Sequence, residues 1–137
     1  MIGMELISAD LKRDEGERLK PYKDTVGKLT IGVGRNLDDV GISKEESAVL
    51  LVNDIARVEA ALDVSLPWWR TLSENRQRVL INMCFNMGIN ALLGFTNTLK
   101  LIKDARYNDA AVEMLKSKWA SQVGDRALRL SDLMRKG

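Results

Sequence analysis

The chain has 137 residues, 45% of them hydrophobic and 29% charged, with a formal net charge of +2. That composition is expected to give one globular domain with a real core, and no run of about 18 apolar residues is present to cross a membrane. There is no histidine, and Cys84 is the single cysteine, which excludes His-based triads, nearly every common zinc site and any intrachain disulfide. Acid–base chemistry must then come from carboxylates, Lys or Tyr, and no metal or cofactor is expected. The charge is uneven. Residues 1–69 hold 9 Lys/Arg against 13 Asp/Glu, and residues 70–137 hold 12 against 6. The basic half suits an anionic partner, although a solvated helical surface would look the same.

In chain order, residues 2–14 read as a helix, with Met4, Leu6, Ile7 and Leu11 at helical spacing and Gly16 as terminator. "RLKPYK" and "KLTIGVG" follow as a short hairpin around the turn "DTVGK", expected to be the only sheet. Ser43 and Glu46 fit a capping box. They open a long helix over about 43–62, striped by Ala48, Leu51, Val52, Ile55, Val58 and Leu62. "DVSLPWWRTL" reads as a connecting loop in which Trp68 and Trp69 anchor the long helix. Ser73 caps a helix ending at Gly88, apolar nearly all round from Val79 to Met87 and hence central. Met83, Cys84 and Met87 read as core. Shorter helices are expected at 89–93, 96–105, 108–118 and 125–135. The class is α+β and mostly helical.

The helix end at Glu15 and the hairpin turn at Asp24 each carry a carboxyl, nine residues apart. Two carboxyls held by two rigid elements can face one cleft, as glycoside hydrolysis requires: one protonated donor and one ionised partner that orients water or attacks the sugar. Asp14 and Glu17 beside Glu15 raise the cost of ionising it, which favours a donor there. Asp24, in a solvated turn, suits the ionised partner. Thr30, across the hairpin, is placed to help hold a water beside Asp24. Spacing alone does not separate such a pair from two solvated surface carboxylates.

The stretch "DEG-x-RLK-x-YKDT-x-G-x-x-TIG-x-G" resembles the N-terminal signature of the T-even phage lysozymes, the phage muramidase (endolysin) family. "VLINMCFNMGINALLGFTNTL" is similar to that family's central helix, and "AAVEMLKSKWASQVGDRALR" to its C-terminal helices. The matches fall in order and cover most of residues 11–130. The resemblance implies a single lysozyme-like domain over 1–137. Its parts would be a hairpin lobe at about 14–42, a bridging helix at about 43–62 and a helical lobe at about 66–137, with the first helix packing on that last lobe and the cleft lying between lobes. It implies hydrolysis of the β-1,4 bond between N-acetylmuramic acid and N-acetylglucosamine in peptidoglycan, with inversion. Glu15 matches the general acid, Asp24 the second carboxylate, and Thr30 the threonine beside the water. Arg126 matches an arginine that pairs with the acid, and Arg129 would similarly face Asp14. Phe85 and Thr98 match positions that line the sugar cleft, with plain core as the competing role for Phe85.

The chain also departs from that pattern. Arg35 stands where the family often has a histidine, and the expectation is an Arg35–Asp54 ion pair tying the hairpin to the long helix. Asn36 replaces a leucine and Glu113 a cleft asparagine, and the segment between Asn36 and Ser43 is short. The expected partner is bacterial peptidoglycan, acted on by a monomer with no membrane insertion. The protein would accumulate in the host cytoplasm and reach the wall through holin lesions, since "MIGMELISADLKRDEG" is not a secretory signal. The alternative is a non-catalytic peptidoglycan-binding relative of the same fold. A nucleic-acid binder is disfavoured, because neither a helix-turn-helix pattern nor a Lys/Arg-rich recognition face is found.

Overall fold

The computed structural model describes residues 2–137. The chain divides into two compact units, Met1–Val49 and Leu50–Gly137.

The first unit begins with α1 (Met4–Glu15), which ends at Gly16. Gly16 has φ +76° and its N–H reaches back to the Lys12 carbonyl at 2.9 Å, a left-handed stop that a side chain would oppose. The sheet is antiparallel in the order β1 (Arg18–Lys23), β2 (Leu29–Gly32), β3 (Arg35–Asn36). β3 goes beyond the expected hairpin. Two residues suffice for it because the chain turns back directly after β2, pairing Thr30 with Asn36 and Ile31 with Arg35. That makes β2 the central strand and buries Thr30 to 3% exposure.

Helix α2 (Lys44–Ser65) starts in the first unit and ends in the second. The capping box is formed: Ser43 Oγ accepts from the Glu46 N–H at 3.0 Å, and Glu46 Oε1 accepts from the Ser43 N–H at 2.8 Å. The helix runs three residues past its expected end. Asp63, read as loop, sits in the last turn. It accepts from the Trp69 indole N–H and the Arg70 Nε–H, both at 2.7 Å.

The ion pair expected between Arg35 and Asp54 is replaced by two others. Arg35 Nη1 donates to Glu46 Oε1 at 2.8 Å and to the Gly41 carbonyl at 3.1 Å, while Asp54 pairs with Arg57. The reason is local. The capping box already holds the Glu46 carboxylate at the start of α2, within reach of β3, and Arg57 is one turn from Asp54 on the same helix. The Arg35 hydrogen bond, then the Ser43 N–H, pulls the Glu46 pKa down to about 2. The folded value lies below the unfolded one, so the stabilisation is fully present above the ordinary glutamate range and fades as pH falls through about 2. An NMR pH titration should place the Glu46 midpoint near 2, and Arg35→Met should move it up toward the ordinary value. A Glu46 midpoint unchanged by Arg35→Met would refute the pairing.

The second unit is a helical body built on α3 (Glu74–Met87), capped by Ser73 Oγ accepting from the Arg76 N–H. Val79, Leu80, Met83 and Cys84 of α3 are buried, and Met87 packs partly buried against the same core. The core also takes Leu62, Trp69, Met114 and Met134, all 1% exposed or less. Trp69 is thus the buried anchor of the α2 end, and Trp68 packs against it less deeply. Around α3 lie α4 (Ile89–Leu93), α5 (Thr96–Lys103), α6 (Tyr107–Lys116), α7 (Lys118–Val123) and α8 (Asp125–Lys136). Helix α7 was not expected. Ser117 breaks the predicted 108–118 helix by accepting from the Ala120 N–H, which starts a new turn. Arg76 fastens the last helix, donating to the carbonyls of Met134 at 2.7 Å and Arg135 at 3.0 Å while lying 3.4 Å from the Tyr107 ring centroid.

Candidate active site

In the first unit the two expected carboxylates and Thr30 occupy defined places. Glu15 is the last residue of α1 and its side chain is exposed. Its carboxyl lies against the turn between β2 and β3. A Cβ built on Gly34 would sit 3.0 Å from Glu15 Oε2. Gly34 also has φ +67°, so glycine is required there both for backbone conformation and for the close approach of the acid. Gly34→Ala is expected to push the Glu15 carboxyl aside and strain the turn. The peptidoglycan hydrolysis that the sequence resemblance implies should then fall at least about tenfold with the helical unit intact by circular dichroism; unchanged activity would mean the contact does not position Glu15.

Asp24 follows β1 and is half-buried. Its Oδ1 accepts two turn N–H groups, from Val26 at 3.0 Å and Lys28 at 2.8 Å. Its backbone N–H donates to the Lys28 carbonyl at 2.9 Å. The turn sequence "DTVGK" therefore tethers one oxygen of its own aspartate and leaves Oδ2 without a protein hydrogen bond among the described residues. Tyr22 pairs with Thr30 across β1–β2, and Asp24 and Lys28 are opposed two positions further on. Alternation puts Asp24 and Thr30 on one face of the sheet. Thr30 Oγ1 donates to the Lys28 carbonyl at 2.9 Å, so its lone pairs remain to accept. The turn chemistry of Asp24 was legible in the sequence. The Gly34 contact was not, because it joins residues of different elements.

In the second unit, Phe85 projects from α3 with 45% of its surface exposed, so it is not plain core. It lines a depression of about 360 Å³ with Leu51, Ile55, Ile81, Asn82, Arg78 and Arg126. Arg126 Nε donates to Asn82 Oδ1 at 2.9 Å. Phe85 and Arg126 are thus brought to one surface. Thr98 is elsewhere, 5% exposed on α5, lining a groove of about 260 Å³ with Phe95, Glu113 and Lys116. Glu113, marked in the sequence as a departure, therefore shares a groove with Thr98 and pairs there with Lys116 at 3.3 Å. Arg78 is the lining residue that sequence reasoning missed; nothing in its local pattern separates it from other exposed helix arginines. Among the described residues no group of three Cys, Asp or Glu side chains converges closely enough to hold a metal ion, and no helix is long and apolar enough to cross a membrane.

The mostly helical α+β fold with its small three-stranded antiparallel sheet is that of a lysozyme-like protein. The chain belongs to the phage lysozyme family, whose profile matches residues 12–136. It is 33% identical to "Probable T4-type lysozyme 1" of Dictyostelium discoideum over 157 aligned positions, covering 93% of this chain and 92% of the relative. It is 36% identical to the "Endolysin" of Salmonella phage P22, covering 84% and 82%. It is also 28% identical to the "Pre-baseplate central spike protein" of Enterobacteria phage T4, covering 93% of this chain but 27% of that longer relative.

Proposed function

We propose that this protein is an endolysin that cleaves the β-1,4 bond between N-acetylmuramic acid and N-acetylglucosamine. Glu15 is the general acid that protonates the leaving oxygen. Asp24 is the carboxylate that activates water, with Thr30 as second holder of that water. The observation that carries the reading is the division of labour at Asp24: Oδ1 is tethered by two backbone N–H groups, and Oδ2 is left on the sheet face that also carries Thr30. A water donating one hydrogen to Asp24 Oδ2 and the other to Thr30 Oγ1 keeps a lone pair directed at the sugar. Such a water belongs to an inverting mechanism, in which the carboxyls stand ~6.5–9.5 Å apart to make room for it. NMR of the first-formed product should show the inverted anomer, and net retention would make Asp24 a nucleophile instead.

Phe85, Thr98 and Arg126 are substrate-binding residues in this reading. The whole chain acts as one lysozyme-like domain and as a monomer. Its biological setting is the host cytoplasm, with access to the wall through holin lesions and host lysis as the outcome. The direct test is turbidity loss by outer-membrane-permeabilised bacteria. Clearing supports the enzyme, whereas binding to walls without clearing would favour a peptidoglycan-binding relative that has lost catalysis.

A further inference from the structure

We propose that Asp38 is a positioning residue for the water held by Asp24 and Thr30, acting through the peptide group between Lys28 and Leu29. The inference rests on the lysozyme reading and deepens it. It gives a role to the short segment between Asn36 and Ser43, where the chain departs from its family's pattern. Every group involved lies in the first unit.

The planar Lys28–Leu29 peptide is a junction. Its carbonyl accepts from the Asp24 backbone N–H and from Thr30 Oγ1, both at 2.9 Å. One peptide earlier, the Lys28 N–H donates to Asp24 Oδ1 at 2.8 Å. The orientation of this junction therefore sets both the Asp24 tether and the direction of the Thr30 hydroxyl proton. With that proton committed to the carbonyl, Thr30 presents lone pairs to the water.

The far side of the same peptide is the Leu29 N–H, on the edge of β2 that faces β3. The β2–β3 pairing runs on to Leu37, whose N–H donates to the Leu29 carbonyl at 2.7 Å. The chain then turns away, with the Val40 N–H donating to the Asn36 carbonyl at 3.0 Å and the Gly41 N–H to the Leu37 carbonyl at 3.1 Å. In place of a strand carbonyl, Asp38 Oδ2 accepts the Leu29 N–H at 2.7 Å. A carboxylate holds an N–H more strongly than a neutral carbonyl does, and it polarises the peptide so that the carbonyl opposite accepts better. Asp39 braces the same residue from its side chain. Its Oδ1 accepts from Lys28 Nζ at 3.1 Å, and its Oδ2 accepts from Asn36 Nδ2 at 3.0 Å. That second tie is an exposed ion pair and is expected to contribute little.

The test separates positioning from plain strand capping. Asp38→Ala should lower the maximal rate of wall hydrolysis roughly tenfold, the order of one charge-assisted hydrogen bond, with the half-saturating wall concentration unchanged. Asp38→Asn keeps an oxygen acceptor for the Leu29 N–H and should stay within about threefold of wild type. Asp39→Asn removes an equal charge from the neighbouring residue and should lose no more than about twofold. Combining Asp38→Ala with Thr30→Val should cost less than the product of the two single losses, because both act on one hydroxyl. Hydrogen exchange locates the change without reference to activity. In Asp38→Ala the Lys28 amide should exchange roughly tenfold faster while the amides of α2 keep their wild-type rates. An unchanged maximal rate in Asp38→Ala, an equal loss in Asp39→Asn, no recovery in Asp38→Asn, or full multiplication of losses with Thr30→Val would each overturn the assignment. If wild type releases no sugar ends from any wall, the lysozyme reading fails instead. The positioning is then decided by exchange alone, where a Lys28 amide unaffected by Asp38→Ala overturns it.

Discussion

Glu15→Gln is expected to lower wall hydrolysis by ~10²–10⁴-fold, the range that general acid catalysis supplies. Glutamine keeps the size of the side chain and its hydrogen bonding, but it cannot deliver the proton that the departing sugar oxygen needs. Glu15 is exposed at the end of a helix with no buried residue, so the substitution should leave the fold unchanged and the loss will be chemical. The close approach to Gly34 gives a second handle. Glu15→Asp keeps the acid but draws the carboxyl back toward α1 by one methylene, away from the position it holds 3.0 Å from a Cβ on that turn. It should retain a small fraction of activity, above Gln and far below wild type, because misplacement by about 1 Å can cost about 10²-fold. Near-normal lysis by folded Glu15→Gln would remove the general acid from the mechanism.

The largest stability effect is expected at Trp69. It is 1% exposed in the core of the second unit, and its indole N–H donates to Asp63 in the last turn of α2 at 2.7 Å. Trp69→Ala removes the largest fully buried side chain and leaves a cavity, a loss of ~3–5 kcal/mol. Asp63 stays paired with Arg70 at 2.7 Å, so no charge is stranded and the packing term dominates. Trp69→Phe should therefore restore most of the stability without restoring the indole hydrogen bond. Denaturant unfolding followed by far-ultraviolet circular dichroism reads both. A loss below ~1 kcal/mol for Trp69→Ala would contradict its role as anchor.

The parts of this fold that local chemistry decides were legible in the sequence. Gly16 ends α1, Ser43 with Glu46 opens α2, and Ser73 caps α3, because in each case the residues that make the cap are adjacent in the chain. What was missed depends on distant partners. The last turn of α2 is held by Trp69 and Arg70 from beyond the helix. Helix α7 is six residues long, too short for a periodic signal, and is fixed by Trp119, whose indole donates to Asn86 at 2.8 Å. Arg35 was read correctly as a charged tie to α2 but given the wrong acid. Glu46 and Asp54 stand eight residues apart and so on nearly the same side of α2; the choice between them turns on position along the helix, about 12 Å apart, and sequence periodicity does not specify that. At the candidate site the positions of Glu15 and Asp24 followed from a helix stop and a turn. The tethering of one Asp24 oxygen, the contact of Glu15 with Gly34 and the placing of Phe85 and Arg126 on one surface emerged from three-dimensional placement.

The measurement that tests the central claim most directly is the identity of the ends released from purified peptidoglycan. New reducing ends are converted to alditols with borohydride and analysed after acid hydrolysis. Cleavage by this protein should yield the alditol of muramic acid, in wild type and not in Glu15→Gln. Release of the glucosamine alditol instead, or of new peptide amino groups without new reducing ends, would show that a different bond is broken and would contradict the account.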